Sequence, residues 1–315
     1  MKIQFWLKIL FSCVLIVVLI RYIDLENITS ALQTVSPAHL AAALLLLIPN
    51  LGMQWLKWHG LVKIRHTDVS PALTFSSLLK GMSIGLITPG RTGEFGRALF
   101  MPYTPKARLA GYNALDKIYS QIAIVLTGIP AILYNVNDLL EENIWIKALL
   151  WGMYFLLLAS VIRTVFYPES ITSWFRRRNW RFLEKQVVSD FLSGLDAFDR
   201  GASIKLFILS LLFVGVYILQ FYIIVSAFQT VSFTAGIAAV TAVMLVNVLA
   251  PFFFGNLGIR ELSAVFFLGR TGFTPEAGFD SAIILFTINI LIPAISGYCL
   301  LILQKKKTVS YTKTL

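Results

Sequence analysis

The chain has 315 residues, 57% hydrophobic and 14% charged, with a mean hydropathy of +0.76. A soluble domain carries about 25% charged residues, so too few charges remain for a water-facing surface; the apolar content excludes disorder, and two cysteines, Cys13 and Cys299, cannot build a disulfide framework. With 27 Lys+Arg against 16 Asp+Glu the net charge is +11, which in such a chain reads as the positive-inside bias of a polytopic helical membrane protein rather than as a nucleic-acid surface.

Runs of about 20 apolar residues cross a bilayer, and six occur: 5–23, 38–58, 112–134, 145–166, 204–228 and 281–303. No small-residue cleavage site follows the first, so it reads as a span rather than a removed signal. Lys305, Lys306 and Lys307 stop the last. Two other stretches are short. The segment 71–87 contains Lys80 and ends in Thr88-Pro89-Gly90, and 236–250 ends at Pro251. Gly-rich, charged sequence follows each, then a second short apolar piece at 98–101 or 262–268. This pattern predicts re-entrant hairpins or broken helices.

Charge orients the chain. Lys2 and Lys8 put the N-terminus inside, and Lys57, Lys63 and Arg65 put the loop at 59–68 inside. The loop at 135–144 holds Asp138, Glu141 and Glu142 and is outside. The stretch 163–205, with eight bases against five acids, is inside, as is the C-terminus. Segments 71–110 and 234–278 must then each return to their own side, the first from the cytoplasm and the second from the exterior.

The two hairpins resemble one another. Gly90-Arg91-Thr-Gly93-Glu94-Phe-Gly-Arg97 and Gly255-Asn256-Leu-Gly258-Ile-Arg260-Glu261 both follow a Pro-ended apolar stretch. The expected fold is an all-α polytopic membrane protein with six spanning helices plus two re-entrant hairpins, arranged as an inverted-topology repeat. It forms one transmembrane domain over 1–305, with repeats at about 38–134 and 203–303, a cytoplasmic linker at 167–202 and a tail at 306–315. Inverted repeats with broken helices belong mostly to transporters.

Ionisable residues at membrane depth are costly and usually functional. Arg91, Arg97 and Arg260 offer forked donors to a phosphate, and Glu94 and Glu261 compete for them when the site is empty. Lys80, Asp116 and Lys117 are further in-membrane charges, with Lys80 a candidate partner of Asp116 across the hairpin. These eight are the candidate substrate-binding residues; the alternative reading is a structural ion network, to which Lys80, Asp116 and Lys117 are equally suited. Asn247 and Asn289 read as helix–helix hydrogen-bonding residues, and Asp280 as an acid near a helix N-terminus. In the linker, Trp174-Phe-Arg176-Arg177-Arg178-Asn-Trp180-Arg181 suits anionic headgroups. Val187, Val188, Phe191, Leu192, Leu195 and Phe198 then share one helical face, expected to lie on the membrane or to link the repeats. His39, His59 and His66 lack metal-ligand spacing, no P-loop or Gly-x-Ser-x-Gly elbow occurs, and no cofactor is expected.

Thr88-Pro89-Gly90-Arg91-x-Gly93-Glu94-x-x-Arg97, with the later Gly255-x-x-Gly258-x-Arg260-Glu261 and the apolar run to Gly269, resembles the transmembrane region of lysylphosphatidylglycerol synthases. The resemblance covers about 1–305. It implies a lipid flippase-like membrane region; the separate soluble domain that charges the lipid in relatives is not seen in this sequence, so lysyl-phosphatidylglycerol synthesis is not carried over. Residues 251–256, Pro-Phe-Phe-Phe-Gly-Asn, are bulkier than the family's usual small polar residues, implying a more apolar exterior cavity.

The first reading is therefore a translocase, not an enzyme, for an anionic phospholipid or polyprenyl-phosphate-linked lipid in a bacterial-type plasma membrane, with both termini cytoplasmic. The partners are membrane lipids, with no nucleic acid. Rival readings are an accessory subunit of a lipid- or glycan-modifying enzyme, docked through 168–202, and a membrane-embedded lipid transferase. A homo-oligomer is compatible with each.

Overall fold

Proline at the first position opens three of the main helices, where its missing N–H is one that a helix start leaves unbonded in any case. In the computed structural model these are α1 (Pro37–Lys63), α2 (Pro71–Leu86) and α9 (Pro275–Phe286). The structure describes residues 35–88, 91–103, 105–138, 143–169, 186–196, 198–249 and 258–313, with Glu26, Ser30, Gln33 and Ser173. Among these residues the fold is helical, without strands. The expected first span at 5–23, the basic-aromatic segment 174–181, Pro89, Gly90 and the bulky 251–256 stretch lie outside the described residues.

The remaining helices are α3 (Lys106–Asn135), α4 (Ile144–Phe166), α5 (Gln186–Asp196), α6 (Arg200–Ser226), α7 (Phe233–Leu249), α8 (Ile259–Gly269) and α10 (Ile292–Lys313). A 3₁₀ helix, Thr92–Phe100, lies between α2 and α3, and a π turn, Thr287–Leu291, joins α9 to α10 without a break. Among the described residues, five helices are long and apolar enough to cross a membrane: α1, α3, α4, α6 and the continuous helix from Pro275 through Gln304. They correspond to the second to sixth runs expected from the sequence, the fifth ending at Ser226 rather than at 228. The chain is an integral membrane protein. α2 has 16 residues, about 24 Å of rise against a hydrocarbon core of about 30 Å.

Element lengths repeat. α1, α2, the 3₁₀ helix and α3 have 27, 16, 9 and 30 residues. α6, α7 and α8 have 27, 17 and 11, and the continuous helix that follows runs from Pro275 to Lys313. α1 and α6 pack antiparallel: the Ser36 N–H donates to the Ala227 carbonyl at 3.0 Å, and Gln220 Nε2 donates to the Ala43 carbonyl at 2.8 Å. Each short helix packs on the long last helix of the other half. Gly297 of α10 admits the Leu79 carbonyl of α2, and Gly128 of α3 admits the Leu245 side chain of α7; a Cβ at either glycine would collide. Each glycine is the twenty-third residue of its span. Small residues are what allow membrane helices to approach this closely.

The first hairpin closes by the same means. A Cβ on Gly85 would meet Glu94 Cγ at 2.6 Å, and one on Gly81 would meet Arg97 Cβ at 2.7 Å. Arg91, at the turn, has φ 56°, the left-handed region that a non-glycine residue seldom occupies.

α5 differs from the membrane-surface helix expected. It docks on α3, where Gly111 and Gly194 each face a backbone carbonyl of the other helix. Leu192, Leu195 and Phe198 are buried in one apolar cluster with Leu109, Tyr112 and Tyr119, while Val187 is exposed. The apolar face of the linker is thus covered by the protein itself. α4 buries only Val161 and Val165 and turns Trp145, Phe155 and Leu156 outward, as a lipid-facing span does.

Candidate functional site

A cavity of about 490 Å³ lies between the two halves. α1 contributes Asn50, Gln54 and Lys57, and α6 contributes Phe213, Tyr217 and Phe221. α3 contributes Asp116, Lys117, Ser120 and Gln121, and the last span Leu285, Asn289 and Ile290. Arg91 comes from the first hairpin and Arg260 from the second. The walls match by position. Asn50 and Phe213 are the fourteenth residues of α1 and α6, and Gln54 and Tyr217 the eighteenth. Asp116 and Leu285, Ser120 and Asn289, and Gln121 and Ile290 are the eleventh, fifteenth and sixteenth residues of α3 and of the continuous helix that begins at Pro275. The wall from the first half is polar, and that from the second half is largely apolar.

An ion network backs the polar wall. Asp116 forms an ion pair with Lys57 Nζ at 2.8 Å and accepts from an Arg97 guanidinium nitrogen at 2.7 Å. Lys57 also donates to Ser120 Oγ at 2.6 Å, and the Arg97 guanidinium lies 4.2 Å over the Trp58 ring. Lys57 and Arg97 are each 2% exposed and Asp116 4%; charges this deep persist only when paired and hydrogen-bonded. Glu94, also buried, pairs with Arg91 and with Lys117, and Asn113 Nδ2 donates to its backbone carbonyl at 3.0 Å. In the second hairpin Glu261 pairs with Arg260 and accepts the Gly258 N–H at 2.7 Å, capping α8. The Arg260 guanidinium lies 4.8 Å over the Phe286 ring.

Around the cavity, among the described residues, five cations (Lys57, Arg91, Arg97, Lys117, Arg260) meet three carboxylates (Glu94, Asp116, Glu261). The surplus is two positive charges. The Nε atoms of Arg91, Arg97 and Arg260 are buried without a hydrogen-bond partner, although a guanidinium carries five donors to satisfy.

Not all eight sequence candidates stand at the cavity. Arg91, Lys117, Asp116 and Arg260 line it, with Glu94 and Glu261 behind the two arginines. Arg97, expected to hold a phosphate, is locked between Asp116 and Trp58 and does not line the cavity. Lys80 does not meet Asp116: it donates to Gln304 Oε1 at 2.6 Å, beside the Phe100 ring. Asp116 takes Lys57 instead, because α1 rather than α2 carries the cation that faces α3 at this depth. Asn247 and Asn289, read as interhelical, donate to the carbonyls of Val243 and Leu285 in their own helices and line the cavity. Asp280 is not at a helix end but in the body of α9, 2% exposed. Sequence reasoning missed Asn50, Gln54 and Lys57, yet their spacing of four and three puts them on one face of an apolar helix.

A family model for the lysylphosphatidylglycerol synthase transmembrane region matches residues 5–297. The chain belongs to that family. Membership in the lysylphosphatidylglycerol synthase transmembrane-region family makes it a membrane protein related to lipid modification. No match is found among curated proteins.

Proposed function

We propose that this chain is a translocase, not an enzyme, that moves the headgroup of an anionic phospholipid or a polyprenyl-phosphate-linked lipid between the leaflets. The observation that carries this reading is the pair Arg91 and Arg260. One comes from each half, both stand in the wall of a single cavity, and that cavity holds surplus positive charge. Arginine forks suit phosphate oxygens. Arg91 also holds a left-handed backbone, a conformation costing roughly 1–3 kcal/mol that concentrates at functional sites. A lysylated headgroup adds a cation where cations are already in excess, so the cargo is an unlysylated anion.

The matched element lengths, the antiparallel α1–α6 pair and the matched cavity walls support an inverted repeat. The loop charges support six spans and two re-entrant hairpins, with both termini in the cytoplasm of a bacterial-type plasma membrane. In such an architecture the two halves exchange roles, giving states open to opposite sides. The acyl chains stay in lipid while the phosphate passes Arg91, Lys117 and Arg260. Movement is downhill or coupled to protons or potential.

The test uses proteoliposomes containing phosphatidylglycerol labelled on an acyl chain, with bleaching of the outer leaflet. The wild type is expected to speed exposure of inner-leaflet probe. Arg260→Gln should slow it at least about tenfold, the cost of a charge-assisted hydrogen bond, and also lower the melting temperature by leaving the buried Glu261 unpaired; Arg91→Gln, which leaves Glu94 paired with Lys117, should slow it with an unchanged melting temperature. Wild-type rates equal to those of protein-free vesicles would end this reading.

A further inference from the structure

The central cavity has two unlike walls, and the difference specifies more than a phosphate. On the polar wall, carboxamides form a directed relay. Gln54 Nε2 donates to Asn50 Oδ1 at 2.8 Å, Asn50 Nδ2 to Gln220 Oε1 at 3.4 Å, and Gln220 Nε2 to the Ala43 carbonyl at 2.8 Å. The relay fixes which way each amide points and ends at the cavity in Gln54. Gln121 stands on the same wall. Asn289 faces them from the π turn of the last span, a distortion found often at functional sites. It is 5% exposed, its Nδ2 is committed to the Leu285 carbonyl, and its Oδ1 is buried without a partner. A buried carbonyl oxygen left unbonded is costly, so it awaits a donor from a ligand.

Carboxamides bear no charge and offer both donors and acceptors. They suit hydroxyl groups, which also donate and accept. The opposite wall is Phe213 and Tyr217, one helical turn apart with ring centroids 6.3 Å from each other. An aromatic face attracts the electropositive C–H side of a saturated ring. A headgroup with hydroxyls on its edge and C–H bonds on its face matches both walls. At about 490 Å³ the cavity equals the bulk volume of roughly 16 water molecules at about 30 Å³ each. That is room for one six-membered ring and a phosphate.

We propose that the cavity binds a phosphate joined to a single polyhydroxylated six-membered ring, a hexose or a cyclitol, with the phosphate at Arg91 and Arg260 and the ring between Gln54, Asn289 and Tyr217. This rests on the reading of the cavity as a headgroup site and names the headgroup's class. A glycerophospholipid with a cyclitol headgroup and a polyprenyl phosphohexose share this chemistry.

The full-length protein in nanodiscs of a zwitterionic lipid is mixed with phosphatidylinositol, polyprenyl phosphohexose, phosphatidylglycerol or phosphatidic acid, and retention is measured by native mass spectrometry. The wild type is expected to retain at least one ring-bearing lipid about tenfold better than phosphatidic acid. Which ring-bearing lipid is retained names the source. Asn289→Leu and Gln54→Leu, each tested for an unchanged melting temperature, should reduce that preference to near unity and leave phosphatidic acid retention as it was. Gln54 is partly exposed, so its variant folds even where the α9–α10 substitution does not. Retention of phosphatidylglycerol equal to the ring-bearing lipids, or equal retention of all four, overturns the ring and leaves the phosphate site standing. A wild type that retains none of them, or retention indifferent to Arg260→Gln, overturns the headgroup site and the ring together.

Discussion

Arg97 and Arg260 are both buried arginines in hairpins, yet they answer different demands. Each keeps an Nε without a partner, but Arg97 is held by Asp116 and Trp58 away from the cavity, whereas Arg260 lines it. Arg97→Ala leaves Asp116 with Lys57 alone, and breaking a buried pair costs about 3 kcal/mol; the melting temperature in detergent should fall clearly. Adding Asp116→Asn should recover part of the loss, as expected for directly coupled residues. An additive double variant would mean that the pair does not stabilise the hairpin. The charges themselves were legible in the sequence, since ionisable residues in apolar runs stand out. Their pairing was not. It depends on how deep α1, α2 and α3 sit relative to one another, and residue spacing along one helix carries no information about that. Lys57 illustrates this: by sequence it flanks a loop, and in space it holds Asp116.

At the scale of elements, glycine decides which helices touch. Gly128→Val and Gly297→Val should each lower the melting temperature, because a Cβ at either position meets a packed neighbour. Gly152→Val and Gly215→Val should be nearly neutral, since nothing lies within 4 Å of a Cβ there. Equal effects of all four would contradict the close packing of α3 on α7 and of α2 on α10. Apolar run length was enough to find five spans, and the short helices were evident because 16 or 17 residues fall short of the bilayer core. Two features escaped. The piece after Arg91 is a 3₁₀ helix, a choice made by contact with Gly81 and Gly85 of α2. The docking of α5 on α3 relies on two glycines 83 residues apart, Gly111 and Gly194, that no local pattern connects.

For the whole molecule, the proposed inversion makes an unequivocal demand. The loop between α1 and α2 and the loop between α6 and α7 occupy equivalent places in the two halves. They must face opposite sides of the membrane. With Cys13 and Cys299 replaced by serine, Arg65→Cys should react with an impermeant maleimide only after the membrane is opened. Thr230→Cys and Asn143→Cys should react in intact cells. Labelling of positions 65 and 230 from one side would exclude the inversion while leaving the helices themselves intact.

The π turn at Thr287–Leu291 sets the last span apart from α3. A π turn holds one residue more than the α-helix it replaces, so it advances the angular phase of everything beyond it by about 100°. α9, before the turn, packs on α8 and α6, and α10, after it, packs on α2. The turn acts as a phase shifter that lets one rod satisfy two partners whose preferred orientations disagree. Removing a single residue there should give a straight, better hydrogen-bonded helix and a worse protein. Either Gly297 would rotate off Leu79 or Asn289 would rotate away from the cavity, and no rotation of the whole rod could restore both.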